Sequence, residues 1–154
     1  MARNKWKLHS QLPEAISGSS AVVFNEILYN IGGYPSSRSV CWCRLGHKAP
    51  AKWEFMDVAG HKFTRCTFRG AHALGNEIVY FGPYREEVAF LLEREEDSEL
   101  LKVVREEQGF DFETYYNAAS CVFNNDIYAF KTANYRKVFH YSLKRGKWVV
   151  FYEN

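Results

Sequence analysis

Residues 19–34 read Ser-Ser-Ala-Val-Val-Phe-Asn-Glu-Ile-Leu-Tyr-Asn-Ile-Gly-Gly-Tyr, and this stretch decides the fold. Residues 21–24 form an apolar run too short for a helix, and residues 25–26, Asn-Glu, are a turn dipeptide. Residues 28–31 favour a strand, which the glycines at 32–33 end. The stretch therefore predicts two antiparallel strands joined by a tight turn.

The same pattern recurs twice. Residues 71–83 and residues 118–132 each contain a short apolar run, a turn and a second β-rich run. Alignment of Leu28, Ile78 and Ile127 gives steps of 50 and 49 residues. This spacing indicates an internal repeat rather than three unrelated hairpins.

Further markers keep the same period. Val40, Val88 and Val138 each begin the next apolar run, at steps of 48 and 50 residues. Trp53 and Trp148 each lead a later run and lie 95 residues apart, about twice the period. Each repeat therefore predicts four short strands.

A period near 50 residues built from four strands is typical of a β-propeller blade. We predict an all-β fold, a partial propeller of three four-stranded blades preceded by an orphan outer strand around Trp6. The predicted units are residues 1–13 for the orphan strand, 14–58 for blade one, 59–104 for blade two and 105–154 for blade three.

The repeats resemble the kelch family over nearly the whole chain. The resemblance is carried by Leu-Tyr-Asn-Ile-Gly-Gly at residues 28–33, a strand led by Val40, and Trp53 about 20 residues after the glycines. The second repeat has Gly-Pro at 82–83 and no tryptophan, whereas the third keeps its tryptophan but has Lys-Thr at 131–132 where glycines belong. The resemblance is to a diverged kelch array.

Composition narrows the classes of protein. The chain has 154 residues, of which 17% are aromatic, and this share suits a β-rich fold. Its net charge of +2 gives no strong attraction to nucleic acid or membranes. No apolar run approaches the roughly 20 residues of a transmembrane helix. The N-terminus lacks a signal peptide, so the four cysteines favour a reducing, cytoplasmic location.

Residues 85–107 also allow a helix, because Val88, Leu91 and Leu92 have helical spacing. The apolar face breaks over residues 93–99, which are rich in acids and read as a solvated loop. The repeat also requires strands here, and we therefore favour strands at about 87–92 and 100–104.

Neither a metal site nor a catalytic site is expected. Cys41 and Cys43 lie two apart on a predicted strand, and they read as buried thiols rather than a zinc site with His47, His61 or Cys66. Cys121 reads as buried too. His72 and His140 read as hydrogen-bonded sheet residues. No nucleophile–base motif, P-loop or dinucleotide fingerprint occurs, and we predict no enzyme activity, metal or cofactor.

Nucleic-acid binding is a weaker alternative. Residues 131–147 contain six lysines or arginines and no acid, interleaved with aromatic residues. Phe139, Tyr141 and Trp148 match predicted core positions, however, which disfavours their use in stacking on bases.

Loops held by a rigid scaffold are the usual place for binding residues, and Arg and Tyr are enriched at interface hot spots. In kelch proteins the loops at one end of the blades recognise partners, and the resemblance implies that Arg65 matches the family's recurring loop arginine. The other candidate binding residues are Tyr34, Ser36, Ser37, Arg38, Tyr84, Arg85, Tyr115, Asn134, Tyr135 and Arg136.

We therefore expect a non-enzymatic module that recognises a protein or peptide partner. The family implies a substrate-receptor role in a ubiquitin ligase or a cytoskeletal contact. One alternative is a propeller enzyme with a site in the central channel, near His61 and Arg65. Another is an assembly piece, because three blades do not close a ring, and a homodimer or hetero-complex would complete six.

Overall fold

The computed structural model describes residues 10–34, 40–46, 52–58, 70–81, 88–95, 98, 100–108, 118–131 and 137–153. These residues contain twelve strands and no helix. The strands are β1 (Ser20–Phe24), β2 (Ile27–Ile31), β3 (Val40–Arg44), β4 (Glu54–Met56), β5 (Gly70–Leu74), β6 (Glu77–Phe81), β7 (Val88–Arg94), β8 (Leu101–Gln108), β9 (Ala118–Phe123), β10 (Asp126–Lys131), β11 (Lys137–Ser142) and β12 (Lys147–Glu153).

The strands form three antiparallel sheets of four strands each, in the sequential orders β1-β2-β3-β4, β5-β6-β7-β8 and β9-β10-β11-β12. The all-β prediction is confirmed, and so is each four-strand repeat. The helical alternative for residues 85–107 is wrong where the structure describes them, because β7 and β8 occupy most of that range. β8 runs to Gln108, beyond the predicted end near residue 104.

The first hairpin of each sheet turns within two residues. Asn25 and Glu26 have φ values of +49° and +63°, and Asn124 and Asn125 have +50° and +63°. Positive φ at both central residues is the signature of a type I′ turn, whose twist matches that of the flanking strands. In the second hairpin only Gly75 of the turn has positive φ, at +58°. All three turns nevertheless contain two residues, so the three hairpins share one register.

The sheets pack face to face, with the second sheet between the other two. Strand side chains alternate between faces. Ile78 and Tyr80 of β6 belong to the apolar cluster shared with the first sheet, whereas Val79 and Phe81 belong to the cluster shared with the third. The second sheet is thus buried on both faces, which explains why β6 is almost continuously apolar.

The first strands of the three sheets lie side by side, β1 next to β5 and β5 next to β9. These strands carry small residues, and at Gly70 the packing requires one. A Cβ atom there would lie 2.4 Å from Phe81 Cζ and 2.8 Å from Ser120 Oγ. Glycine therefore allows the Phe81 ring to lie between β5 and β9.

The predicted orphan strand at 1–13 lies mostly outside the described residues, and residues 10–13 are not in a strand. This part of the chain nevertheless contacts the first sheet, because Trp53 Nε1 donates a hydrogen bond of 2.9 Å to Ser10 Oγ. The contact fixes residue 10 beside the segment that leads into β4.

The first turn offers a test of the hairpin geometry. We expect Glu26→Gly to raise the free energy of unfolding by about 1 kcal/mol, because a non-glycine residue in the left-handed region costs roughly 1–2 kcal/mol and glycine's flexibility offsets part of the gain. Chemical denaturation measures the change. Asn125→Gly is the matched control with the same φ of +63°, and its effect should be smaller because asparagine tolerates this conformation. Equal or reversed effects would contradict the turn assignment.

Candidate functional site

Tyr34 is the one predicted binding residue that lies within the described part of the chain. It is 55% exposed. Its backbone N–H and C=O form 2.9 Å hydrogen bonds with the C=O and N–H of Ser17, and Ser17 Oγ donates to the Tyr34 carbonyl at 3.2 Å. An exposed aromatic ring is thus held on a fixed backbone. The remaining candidates lie outside the described residues: Ser36, Ser37, Arg38, Arg65, Tyr84, Arg85, Tyr115, Asn134, Tyr135 and Arg136.

The third sheet exposes an aromatic surface on the side away from the second sheet. Ile127 and Ala129 of β10 are buried against the second sheet, so the alternate residues of β10 point the other way. We call this surface the third-sheet far face. It comprises Cys121, Phe123, Tyr128, Phe130, His140 and Phe151.

Two phenylalanines dominate the exposed area of the third-sheet far face, Phe123 at 63% and Phe151 at 64% exposure. The rings of His140 and Tyr128 stack with centroids 4.9 Å apart, and Phe151 meets Tyr128 edge-on at 5.7 Å. His140 Nε2 lies 3.0 Å from Asp126 Oδ2. The face therefore combines a fixed aromatic cluster with one polar pair at its margin.

The repeat explains why this face is apolar. The second and third sheets can be aligned by their first hairpins, because Leu74 pairs with Glu77 in one and Phe123 pairs with Asp126 in the other. In this alignment Phe81 of β6 corresponds to Phe130 of β10. Leu74, Val79, Phe81 and Leu91 of the second sheet are buried against the third. Their equivalents in the third sheet are Phe123, Tyr128, Phe130 and His140. The third-sheet far face thus carries residues at positions that are buried between sheets in the preceding repeat.

The sequence contains a signal for this surface outside the candidate binding residues. The pattern Asp-Ile-Tyr-Ala-Phe in β10 is apolar on both faces, as Glu-Ile-Val-Tyr-Phe is in β6. Such a pattern predicts a strand that is covered on both sides. It does not say which sheet ends the stack.

A polar pair joins the second and third sheets. His72 Nε2 and Ser120 Oγ are 2.8 Å apart, and the His72 ring stacks on Phe81 with centroids 5.9 Å apart. Burial lowers the pKa of His72 from its ordinary value of 6.5. The neutral ring thus bridges β5 and β9. His140 Nε2 lies 3.0 Å from Asp126 Oδ2 in the third sheet, but the contact lacks the geometry of a hydrogen bond.

The cysteines divide into two groups. Cys41 and Cys43 are buried, as predicted, and Asn30 Nδ2 donates to Cys41 Sγ at 3.8 Å. Burial raises the pKa of both thiols, which disfavours the reactive thiolate. Cys121 is exposed, and the prediction that it is buried was wrong. It pairs with Tyr128 on the third-sheet far face, which no other sheet of the described residues covers.

Two findings bear on other classes of function. Within the described ranges no group of three or more His, Cys, Asp or Glu side chains is placed to hold a metal ion. Phe139 and Tyr141 are buried in the apolar cluster between the second and third sheets, and Trp148 packs against that cluster. These rings therefore do not offer a surface on which bases stack.

Comparison of the sequence with protein-family models finds none that matches, and comparison with curated proteins finds no significant match. The kelch resemblance therefore remains a prediction from the residues. A helix long and apolar enough to cross a membrane does not occur in the part of the chain that the structure describes.

The His72–Ser120 pair predicts a pH dependence of stability. Because the pKa of His72 is lower in the folded chain, the unfolded chain binds more protons below pH 6.5. We expect the free energy of unfolding to fall as the pH drops below about 6.5, and this slope should be smaller in His72→Gln, whose amide can still reach Ser120. Denaturation at pH 5 to 8 measures both. An unchanged slope in the variant would contradict the assignment.

The cysteine environments predict selective alkylation. In dilute solution a thiol reagent should modify Cys121 in the folded chain, whereas Cys41 and Cys43 should react only after denaturation, because they are buried and their pKa values are raised. Peptide mapping by mass spectrometry identifies the modified sites. Rapid labelling of Cys43 without unfolding would show that the first sheet is open.

Proposed function

We propose that this chain is a non-enzymatic protein–protein interaction module, and that the third-sheet far face is its main contact surface. The observation that carries the proposal is the exposure of Phe123 and Phe151 on one face, where the rings of Tyr128, His140 and Phe151 contact one another. Soluble proteins rarely leave a contiguous apolar surface uncovered, and such surfaces mark interaction sites.

The residue types of the face support recognition of a protein. Aromatic residues are enriched in interface cores, where rigid rings bury a large area at little cost in side-chain entropy. The rings of Tyr128, His140 and Phe151 already contact one another, so a partner need not order them. The Asp126–His140 pair supplies polar groups beside the apolar centre.

A second contact surface at the loop end is favoured by Tyr34. Its exposed ring follows the double glycine, and paired hydrogen bonds to Ser17 fix its backbone. This is the position where the kelch resemblance implies partner recognition. The proposal extends to the other loop residues by that resemblance alone.

We further propose that the three sheets are blades of a kelch-type propeller and that the chain works in the cytoplasm. The repeat of about 50 residues, the sequential four-stranded sheets and the adjacent first strands support the propeller. The cytoplasmic location rests on cysteines that are free thiols where described.

The proposal predicts saturable protein binding that depends on Phe151. A photo-cross-linking residue at 151 should capture one reproducible protein, either a second copy or another chain, whereas the same residue at Val104 should not. Binding of that purified protein should weaken at least about 30-fold in Phe151→Ser, as expected for an interface hot spot. Val104→Ser is the matched control, because Val104 is exposed on the second sheet.

Tyr34→Ala measures the contribution of the loop end in the same titration. Weakening by Tyr34→Ala alone would move the contact surface to the loops. Unchanged binding in both Phe151→Ser and Tyr34→Ala, or no saturable protein partner, would contradict the proposed function.

A further inference from the structure

We propose that the occupant of the third-sheet far face is a second copy of this chain, which presents the outer side of its first sheet. The inference rests on the proposed function and names the partner. Two copies related by a two-fold axis would form this contact twice, because each chain carries both surfaces.

The packing between sheets inside the chain indicates which kind of sheet surface would pack against the third-sheet far face. Large residues of the second sheet, such as Phe81, pack against a following sheet whose first strand has the small residue Ser120 on the facing side. At the other interface Phe24 and Tyr29 share a cluster with Ala71 and Ala73. The large rings of Phe123 and Phe130 therefore suit a sheet with small residues on its first strand.

The first sheet carries such residues on its outer side. Val22 and Phe24 of β1 are buried against the second sheet, so Ala21 and Val23 point away from it. The register places them at the positions of Ala71 and Ala73. Ala21 is exposed and Val23 is 52% exposed. Among the described residues, no sheet covers this side of β1, whereas the first sheet covers the equivalent side of β5 and the second sheet covers that of β9.

The contact includes the segment that precedes β1. Cys41 and Cys43, on the same side of the first sheet as Val23, are already buried. Ser10 bonds to Trp53, and the charge of Glu14 acts on Cys41, so residues 10–16 run along this side. A second copy therefore meets β1 together with residues 10–16, where Leu12 is an exposed apolar residue.

Two copies would stack six four-stranded sheets in one closed ring, which is within the usual range of four to eight blades. Such a ring leaves neither the aromatic face of the third sheet nor the small residues of β1 exposed. The contact between copies repeats the sheet-to-sheet packing that the chain already forms twice, and it continues those two interfaces.

The first test is the mass of the full chain in solution. Light scattering and sedimentation over a range of concentrations should give a dimer near twice 18.0 kDa. Alkylation of Cys121 should slow as the chain concentration rises. A chain that stays monomeric at all concentrations would overturn the inference and leave the proposed function to a different partner.

Two single variants test the arrangement. Phe123→Glu alters the third-sheet far face and Val23→Glu alters β1, and each should weaken the dimer at least about 30-fold. Val104→Glu is the control with the same substitution on the second sheet, and it should leave the dimer intact. Circular dichroism checks that the variants fold.

Mixing the two variants decides between arrangements. A dimer of Phe123→Glu with Val23→Glu keeps one unaltered interface, so the mixture should associate more tightly than either variant alone. A dimer that Phe123→Glu breaks and Val23→Glu does not would show that two far faces meet, which overturns the proposed arrangement. A dimer that neither variant weakens would overturn both it and the use of the far face.

Discussion

Face-to-face packing of four-stranded sheets is the interaction on which the rest of the structure depends. The second sheet is apolar on both faces: Ile78 and Tyr80 pack on the first sheet, whereas Val79 and Phe81 pack on the third. A sheet of this kind is stable only between two neighbours, since exposing either face would place large apolar side chains in water. The stack therefore makes the three repeats one structural unit.

The same constraint creates the surface to which we assign function. The third sheet repeats the pattern of the second, and Phe123, Tyr128 and Phe130 stand where Leu74, Val79 and Phe81 are buried. A repeat array carries its packing face on every unit, so its last unit needs a cap or a partner. Here the described residues leave that face exposed, and its residues are those that stabilise the interior of the stack, which is why we propose it as a contact surface.

Polar groups are placed so that they do not interrupt this packing. His72 remains neutral between two sheets because burial lowers its pKa and Ser120 offers a hydrogen-bond partner. Asp126 lies beside His140 at the margin of the third-sheet far face. The His72–Ser120 hydrogen bond satisfies groups that would otherwise oppose burial. The histidines thus read as parts of the sheets, which agrees with their scattered positions in the sequence.

The sequence by itself determined the twelve strands, their division into three sets of four and the turn at Asn25, because alternation, turn residues and the repeat are local properties. It also placed Cys41 and Cys43 on one strand face. Only the tertiary structure decided that Cys121 is exposed and that the aromatic residues of β10 and β12 form one surface. A pattern specifies that a face is apolar, whereas its exposure depends on which sheet packs against it.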